Sequence, residues 1–314
     1  MRILVVGAGA IGGYFGGRLK EAGRDVTFLV RERRAAQLAK TGLIIRSPFG
    51  DVALAAPPTI AAAALHQPFD LILLSCKAYD LAAAADSFTP AVGVNTAILP
   101  LLNGMAHLDF LASRFGAGVV LGGQCVISAT LDAEGRILHL NDTHGLSFGE
   151  RDGTASARAE AIAAGMAGGR FDARLSTMIL QEMWEKWVLI AATAGITCLM
   201  RASVGDIVAA SAVNLTTSLL EECAAIATAY GYAPREVMKA RGRVMLTAPG
   251  SNFAASMLRD IERGAAIEGD HIVGDLLRRG EAKQVDHPLL RIAYAHLRAY
   301  EARRRREAGA APAA

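Results

Sequence analysis

A chain of 314 residues, 52% hydrophobic and 20% charged, has the composition of a globular protein long enough for two domains, and it excludes extensive disorder. The net charge of +3 and pI of about 8.7 owe much to Arg298 and Arg303 to Arg306 near the C-terminus. No basic patch with interleaved aromatics occurs elsewhere, so no nucleic-acid partner is expected, and the arginines read as a solvated helix end before a loose tail, EAGAAPAA.

The N-terminus, MRILVVGAGAIGGYFGG, offers a charge followed by an apolar run, as a secretory leader would, but its glycines argue for something else. Arg2 to Val6 is a β-branched run, a helical pattern continues to about Ala22, Gly23 stops it, and Asp25 to Val30 reads as a second strand. Strand, glycine turn, helix and strand make half of a dinucleotide-binding unit. Within Gly7-Ala8-Gly9-Ala10-Ile11-Gly12, Gly7 would make the turn, Gly9 would let the backbone approach a pyrophosphate, and Gly12 would let helix and sheet close together. Ala10 and Ile11 open the helix whose N-terminus would face the phosphates.

The end of the second strand bears on which dinucleotide binds. In FLVRERR the residue after Val30 is Arg31, followed by Glu32, Arg33 and Arg34. An arginine here suits a 2′-phosphate and favours NADP, with Arg31 as the phosphate partner; Glu32 dissents. Further apolar runs at Asp70 to Ser75, Thr96 to Leu99 and Val119 to Ser128 extend a parallel α/β sheet, and Lys77 and Asn103 follow two of them at carboxyl ends, where ligands bind in such sheets.

From Arg136 the pattern shortens to RILHL and GLSFG, an alanine-rich helix near Ser156 to Met166 and a last strand, Phe171 to Leu175. Helices are then expected near Ile179 to Met200, Val204 to Tyr230, Pro234 to Leu246, Ala266 to Arg279 and His287 to Arg305. The expected organisation is an α/β, doubly wound nucleotide-binding domain over residues 1–176 and an all-α substrate domain over 177–314. The longest apolar run, Trp187 to Met200, is shorter than the roughly 20 residues of a membrane span. Cys76, Cys125, Cys198 and Cys223 form no Cys-x-x-Cys pair and have no histidine at a zinc-site spacing, so reduced thiols of a cytoplasmic protein and no metal are expected.

Together GAGAIGGYFGGRL, the strand-end lysine of CKAYD, the LNGM turn, EMWEKW and SMLRDIERGAAIEGD resemble the ketopantoate reductase (2-dehydropantoate 2-reductase) family, in order and over nearly the whole chain. The resemblance implies a Rossmann domain, a helical domain and an active site in the cleft between them, where NADPH reduces a 2-oxo acid to a 2-hydroxy acid. By position in the motifs, Lys186 would be the general acid and Asn103 would orient nicotinamide and substrate. Lys77 would line the same cleft, Ser256 would bind substrate, and Glu268 would hydrogen-bond near the reacting groups. The expected partner is a small 2-oxo acid, and a homodimer is the assembly to test.

The chemistry asks for such a set, because hydride reaching a carbonyl carbon leaves negative charge on oxygen that needs a proton donor. None of the seven histidines lies in a recognisable dyad, and Asp270-His271 and Asp286-His287 read as surface pairs. Lys186 has a bland alternative as the partner of Glu182 four residues earlier, although Leu189, Ile190, Thr193, Ala194 and Thr197 make its side of the helix apolar. Ser256 could instead cap a helix, and Glu268 could be an exposed acid.

The sequence departs from the family at one point. Members commonly carry asparagines four and eight residues after the lysine, where this chain has Ile190 and Ala194. Either Thr193 and Thr197 compensate by binding substrate, or the substrate is a less polar 2-oxo or hydroxy acid than 2-dehydropantoate. A silent NADP(H)-binding regulator is the remaining alternative.

Overall fold

The structure, a computed structural model, describes residues 1–310, so the last four residues of the tail expected at the C-terminus lie outside the described residues. It divides into two compact units: Met1–Leu102 with His107–Ile179, and Asn103–Ala106 with the chain from Leu180 onward.

The first unit is built on two sheets. In chain order its elements are β1 (Arg2–Val6), α1 (Ala10–Glu21), β2 (Asp25–Leu29), α2 (Glu32–Thr41), β3 (Leu43–Arg46), β4 (Val52–Leu54), β5 (Thr59–Ile60), β6 (Leu71–Leu74), α3 (Leu81–Phe88), β7 (Ala97–Pro100), α4 (Ala106–Phe115), β8 (Gly122–Leu131), β9 (Ile137–Gly149), α5 (Ala157–Met166) and β10 (Asp172–Leu175). The first sheet is parallel throughout, in the order β5-β2-β1-β6-β7. Its strands LILL and AILP are buried at every position, the continuous apolar run that a parallel sheet covered on both faces requires. The order reverses between β1 and β6, which makes the carboxyl ends of these two strands the switch point of the sheet.

The second sheet corrects the sequence reading. The run expected near Val119 to Ser128 touches the parallel sheet only at its start, where Val120 makes a single parallel bridge to Ile98 of β7; from Gly122 it becomes β8, antiparallel to the long β9, which absorbs both RILHL and GLSFG. β9 also pairs with β3 and β10, and β3 forms a hairpin with β4.

Four glycines of α1 explain how one helix serves both sheets. A Cβ on Gly16 would lie 2.7 Å from Phe28 and 2.8 Å from Val5 of the parallel sheet, and one on Gly12 would collide with Ser75 Oγ and the Gly7 carbonyl. On the other face, a Cβ on Gly13 would lie 2.6 Å from Ile137, and one on Gly17 would lie 2.9 Å from Ile45 and Leu43 of the second sheet. Four interior glycines cost an isolated helix about 2 to 4 kcal/mol relative to alanine. Close approach to two sheets, which joins them in one buried core, offsets that cost.

The second unit is helical: α6 (Ile179–Met200), α7 (Val204–Ala209), α8 (Val213–Ala229), α9 (Glu236–Leu246), α10 (Ser256–Glu262), α11 (Asp275–Ala282) and α12 (Pro288–Ala310). The single helix expected over Val204 to Tyr230 is two, broken at Ser211, which takes a φ of 59°. Gly264, with a φ of 67°, ends the α10 region, and the next turn, Asp270–Gly274, is a π-helix leading into α11. The arginines of α12 are paired rather than merely solvated: Arg303 with Glu307, and Arg304 and Arg305 with Glu301. Among the described residues no helix is long and apolar enough to cross a membrane.

Candidate active site

The cofactor half lies at the carboxyl ends of β1 and β6. Gly7 takes a φ of 92°, its N–H donates to Leu29 O at 3.0 Å, and the chain turns directly into α1. Ser75, after β6, closes the switch point by donating its hydroxyl to Val6 O at 3.2 Å. Gly9 is the N-cap of α1 and offers no side-chain cap, and the first turn carries no acid. The first amides of the helix thus lack both an internal acceptor and a competing carboxylate, the condition for holding an anion.

The glycines separate by function. Gly12 is demanded by the protein itself, whereas a Cβ on Gly9 would meet no protein atom within 4 Å. The space beside Gly9 is what a pyrophosphate lying on the Ala10, Ile11 and Gly12 amides would occupy, so the residues present fit a dinucleotide.

The arginines after β2 take different roles. Arg31 is 79% exposed at its side chain and pairs with Asp80 at 2.9 Å. Arg34 instead turns inward: its Nε donates to Ala8 O at 3.0 Å and its Nη1 to Gly135 O at 3.0 Å, bracing the glycine turn against the β8–β9 connection. Lys77 is exposed just past β6, at the start of the short turn Ala78–Asp80.

In the second unit, Lys186 is half-buried in the middle of α6, between fully buried Glu185 and Trp187. Both neighbours fix the helix. Glu185 accepts from the Arg235 backbone at 2.9 Å, from Arg235 Nε and Nη2 at 2.7 and 2.6 Å, and from Gln181 at 3.1 Å. Burial alone would push its carboxyl up, but the hydrogen bonds from Arg235 and Gln181 prevail and hold it below the usual range. Trp187 Nε1 donates to Ile272 O at 2.8 Å, tying the lysine's helix to the π turn.

Asn103 belongs by its packing to this helical unit, although it follows β7 in the chain. His271 packs on the same turn, its ring and carbonyl 3.2 Å from where a Gly104 Cβ would stand. Glu268, half-buried one residue before Gly269, acts electrostatically on His271. The structure thus gathers Asn103, Glu268 and His271 within one unit, and α6, which carries Lys186, is bonded to the same π turn.

Several expectations need correction. His271 and His287 are not surface residues: His271 is half-buried against the Asn103 turn, and His287 is buried with Nδ1 2.5 Å from Val285 O. Only the aspartates of the two pairs, Asp270 and Asp286, are exposed, and Asp270 is held by Arg278 and Tyr294. Ser256 does not cap α10; Ala255 is the N-cap, and Ser256 is exposed at the first helical position. Thr193 and Thr197 are not open to a ligand. Both are buried, Thr197 at 0% exposure, and their hydroxyls donate to Leu189 O and Thr193 O, each at 2.7 Å. A β-branched hydroxyl within a helix finds its own preceding turn before it finds a substrate. Cys125, Cys198 and Cys223 are buried and Cys76 half-buried, each outside any disulfide among the described residues, with burial pushing the Cys198 thiol up to about 12. Two further histidines missed in the sequence, His139 and His144, are buried in the first unit in a stack with Phe49, His144 bonding Tyr14 at 2.8 Å.

The model of the Ketopantoate reductase PanE/ApbA family matches residues 3–153, and that of its C-terminal part matches 178–301. The chain belongs to the ketopantoate reductase family. The chain is 38% identical to an uncharacterized oxidoreductase, YkpB, of Bacillus subtilis, over 96% of this chain and 99% of that one. The crystal structure of a 2-dehydropantoate 2-reductase from Methylococcus capsulatus superposes with a TM-score of 0.86 at 27% identity, covering 97% and 98% of the two chains. A D-mandelate dehydrogenase solved with NADH and anilino(oxo)acetate shares the fold, with a TM-score of 0.86 at 20% identity over 97% and 100%. As a ketopantoate reductase family member, this chain is a nicotinamide-dependent oxidoreductase with a Rossmann unit and a helical unit.

Proposed function

We propose that the protein reduces a 2-oxo acid to the 2-hydroxy acid with NADPH, and that 2-dehydropantoate is the first substrate to test. The observation that carries this reading is the grouping of Asn103, Glu268 and His271 in one unit, with their π turn bonded to the helix of Lys186. The bound nicotinamide supplies the hydride. Lys186 gives its ammonium proton to the oxygen as charge develops there, and half-burial in α6 limits competition from water. Asn103 orients the carbonyl, and Glu268 hydrogen-bonds beside it. The glycine turn and the amides of Ala10, Ile11 and Gly12 hold the pyrophosphate; Arg31, exposed and paired with Asp80, sets the preference for NADP by taking the 2′-phosphate; and Lys77 contributes positive charge beside the nucleotide.

One observation favours a less polar substrate. Ile190 and Ala194 follow Lys186 on its face, and the two threonine hydroxyls there are spent on the helix backbone. A substrate hydroxyl left unpaired against such a surface costs about 1 to 3 kcal/mol. Measuring kcat/KM for 2-dehydropantoate and for 2-oxo acids lacking its terminal hydroxyl decides between them: a hundredfold advantage for 2-dehydropantoate removes the less polar reading. Lys186→Ala should lower kcat by about 10² to 10⁴ with NADPH binding retained; unchanged turnover would remove Lys186 from its role.

A further inference from the structure

The Asn103 turn has no regular secondary structure of its own to hold it, and Gly104 reaches it through a φ of 82°. Its support is His271. The imidazole hydrogen-bonds to the backbone of Asn103, donating to it, since the bond favours the protonated ring. The contact is close: a Cβ on Gly104 would lie 3.2 Å from His271 Cδ2, 3.2 Å from its carbonyl oxygen and 3.3 Å from Nε2, so the Cδ2–Nε2 side of the ring comes close to a backbone that only glycine leaves bare.

The π turn that carries His271 is itself held from three sides. His271 is the second residue of this turn, Asp270–Gly274, whose wider winding changes the direction of side chains relative to an α-helix. Asp270 is fixed by Arg278 at 3.0 Å and by Tyr294, and the Ile272 carbonyl by Trp187. Gly274 lets the turn press on Tyr294, whose ring would be 2.6 Å from a Cβ there. Glu268, Asp275 and Asp270 are the charged groups that act on the ring.

We propose that His271 is a positioning residue, which holds the Asn103 backbone so that the asparagine amide meets the reacting groups in register. This rests on the role of Asn103 in the proposed reaction. A turn that drifts by an ångström costs on the order of 100-fold in turnover while leaving the bulk of nucleotide binding at the glycine turn.

The test uses the full chain with His271→Phe, which keeps ring bulk without the donor, and with His271→Gln and His271→Asn, which return a donor near one or the other ring nitrogen. His271→Phe is expected to lower kcat 10- to 100-fold with the Kd for NADPH changed less than threefold, and one of the two amide variants to recover most of the loss. In an Asn103→Ala background, His271→Phe should cost less than twofold more. Additive losses, or full activity in His271→Phe, overturn the proposal. Amide hydrogen exchange over residues 103–106 gives a readout independent of turnover: protection is expected to fall at least tenfold in His271→Phe and to return with the rescuing amide. If the wild type reduces no 2-oxo acid, the proposed reaction fails, while unchanged exchange in His271→Phe sinks the positioning role by itself.

Discussion

Replacing Gly9 with alanine separates what the glycine motif does for the protein from what it does for the nucleotide. The added methyl would meet no protein atom within 4 Å, and the backbone there, φ −80° and ψ −163°, is open to any residue. Folding stability should change by about 1 kcal/mol or less, which in a unit of this size moves Tm by roughly 2 to 4 °C. A pyrophosphate lying against Gly9 would be displaced from the first amides of α1. Losing one charge-assisted hydrogen bond costs about 1.5 to 3 kcal/mol, or roughly 10- to 150-fold in NADPH affinity. Gly12→Ala is the control, because its methyl collides with Ser75 Oγ and the Gly7 carbonyl; it should lose about 1 to 3 kcal/mol of stability as well as affinity. Fluorescence titration of NADPH beside thermal denaturation of both variants makes the comparison. If Gly9→Ala binds NADPH within twofold of wild type, the phosphates do not pass beside Gly9 and the reasoning is refuted.

Arg31→Ala should weaken NADPH by about ten- to a hundredfold and NADH by less than twofold; equal losses for the two nucleotides would show that Arg31 does not read the 2′-phosphate. Glu185→Gln removes the charge that Arg235 and Gln181 surround, and should cost about 1 to 3 kcal/mol. Because the folded carboxyl titrates below its unfolded counterpart, its contribution is complete above the unfolded value of roughly 4.3 and disappears as pH falls through the lower folded value. Tm measured from neutral pH down to pH 3 should therefore fall less steeply below about pH 4.5 in the variant than in wild type, and parallel curves would exclude this pair as an acid-labile contact.

Motifs that state local geometry were the legible ones. Strand, glycine turn and helix at Arg2 to Glu21 were visible because three glycines and two hydrophobic periods coincide, and α6 was found with its bounds because 22 residues of pattern leave little freedom. The β3–β4 hairpin was hidden because strands of three and four residues carry too little alternation to be distinguished from loops, and the second sheet because β8 reads as one more run of the parallel sheet and β9 as two separate short strands. The break at Ser211 lacks a glycine or proline to announce it. Within the candidate site, periodicity placed Thr193 and Thr197 on the lysine's side, but could not show that their hydroxyls turn back to the helix. His271 was missed for a similar reason. Beside Asp270 it reads as one of two polar neighbours, and only the π turn, which no 3.6-residue pattern encodes, sends one outward and the other onto the Asn103 backbone.

The glycine pairs of α1 set a limit on how this chain can acquire a new cofactor preference. Gly12 and Gly16 on one face, and Gly13 and Gly17 on the other, leave the helix no room to slide or tilt without opening a sheet. Its N-terminal end, the proposed phosphate site, is therefore anchored with the precision of the core, and almost any side chain added along the helix is selected against for packing before nucleotide recognition is at stake. The turn after β2 carries no such burden, since Arg31, Glu32 and Arg33 are all exposed. On the proposed role of Arg31, an exchange between the two nicotinamide nucleotides falls to those three surface positions, where drift is cheap, while the helix stays unchanged.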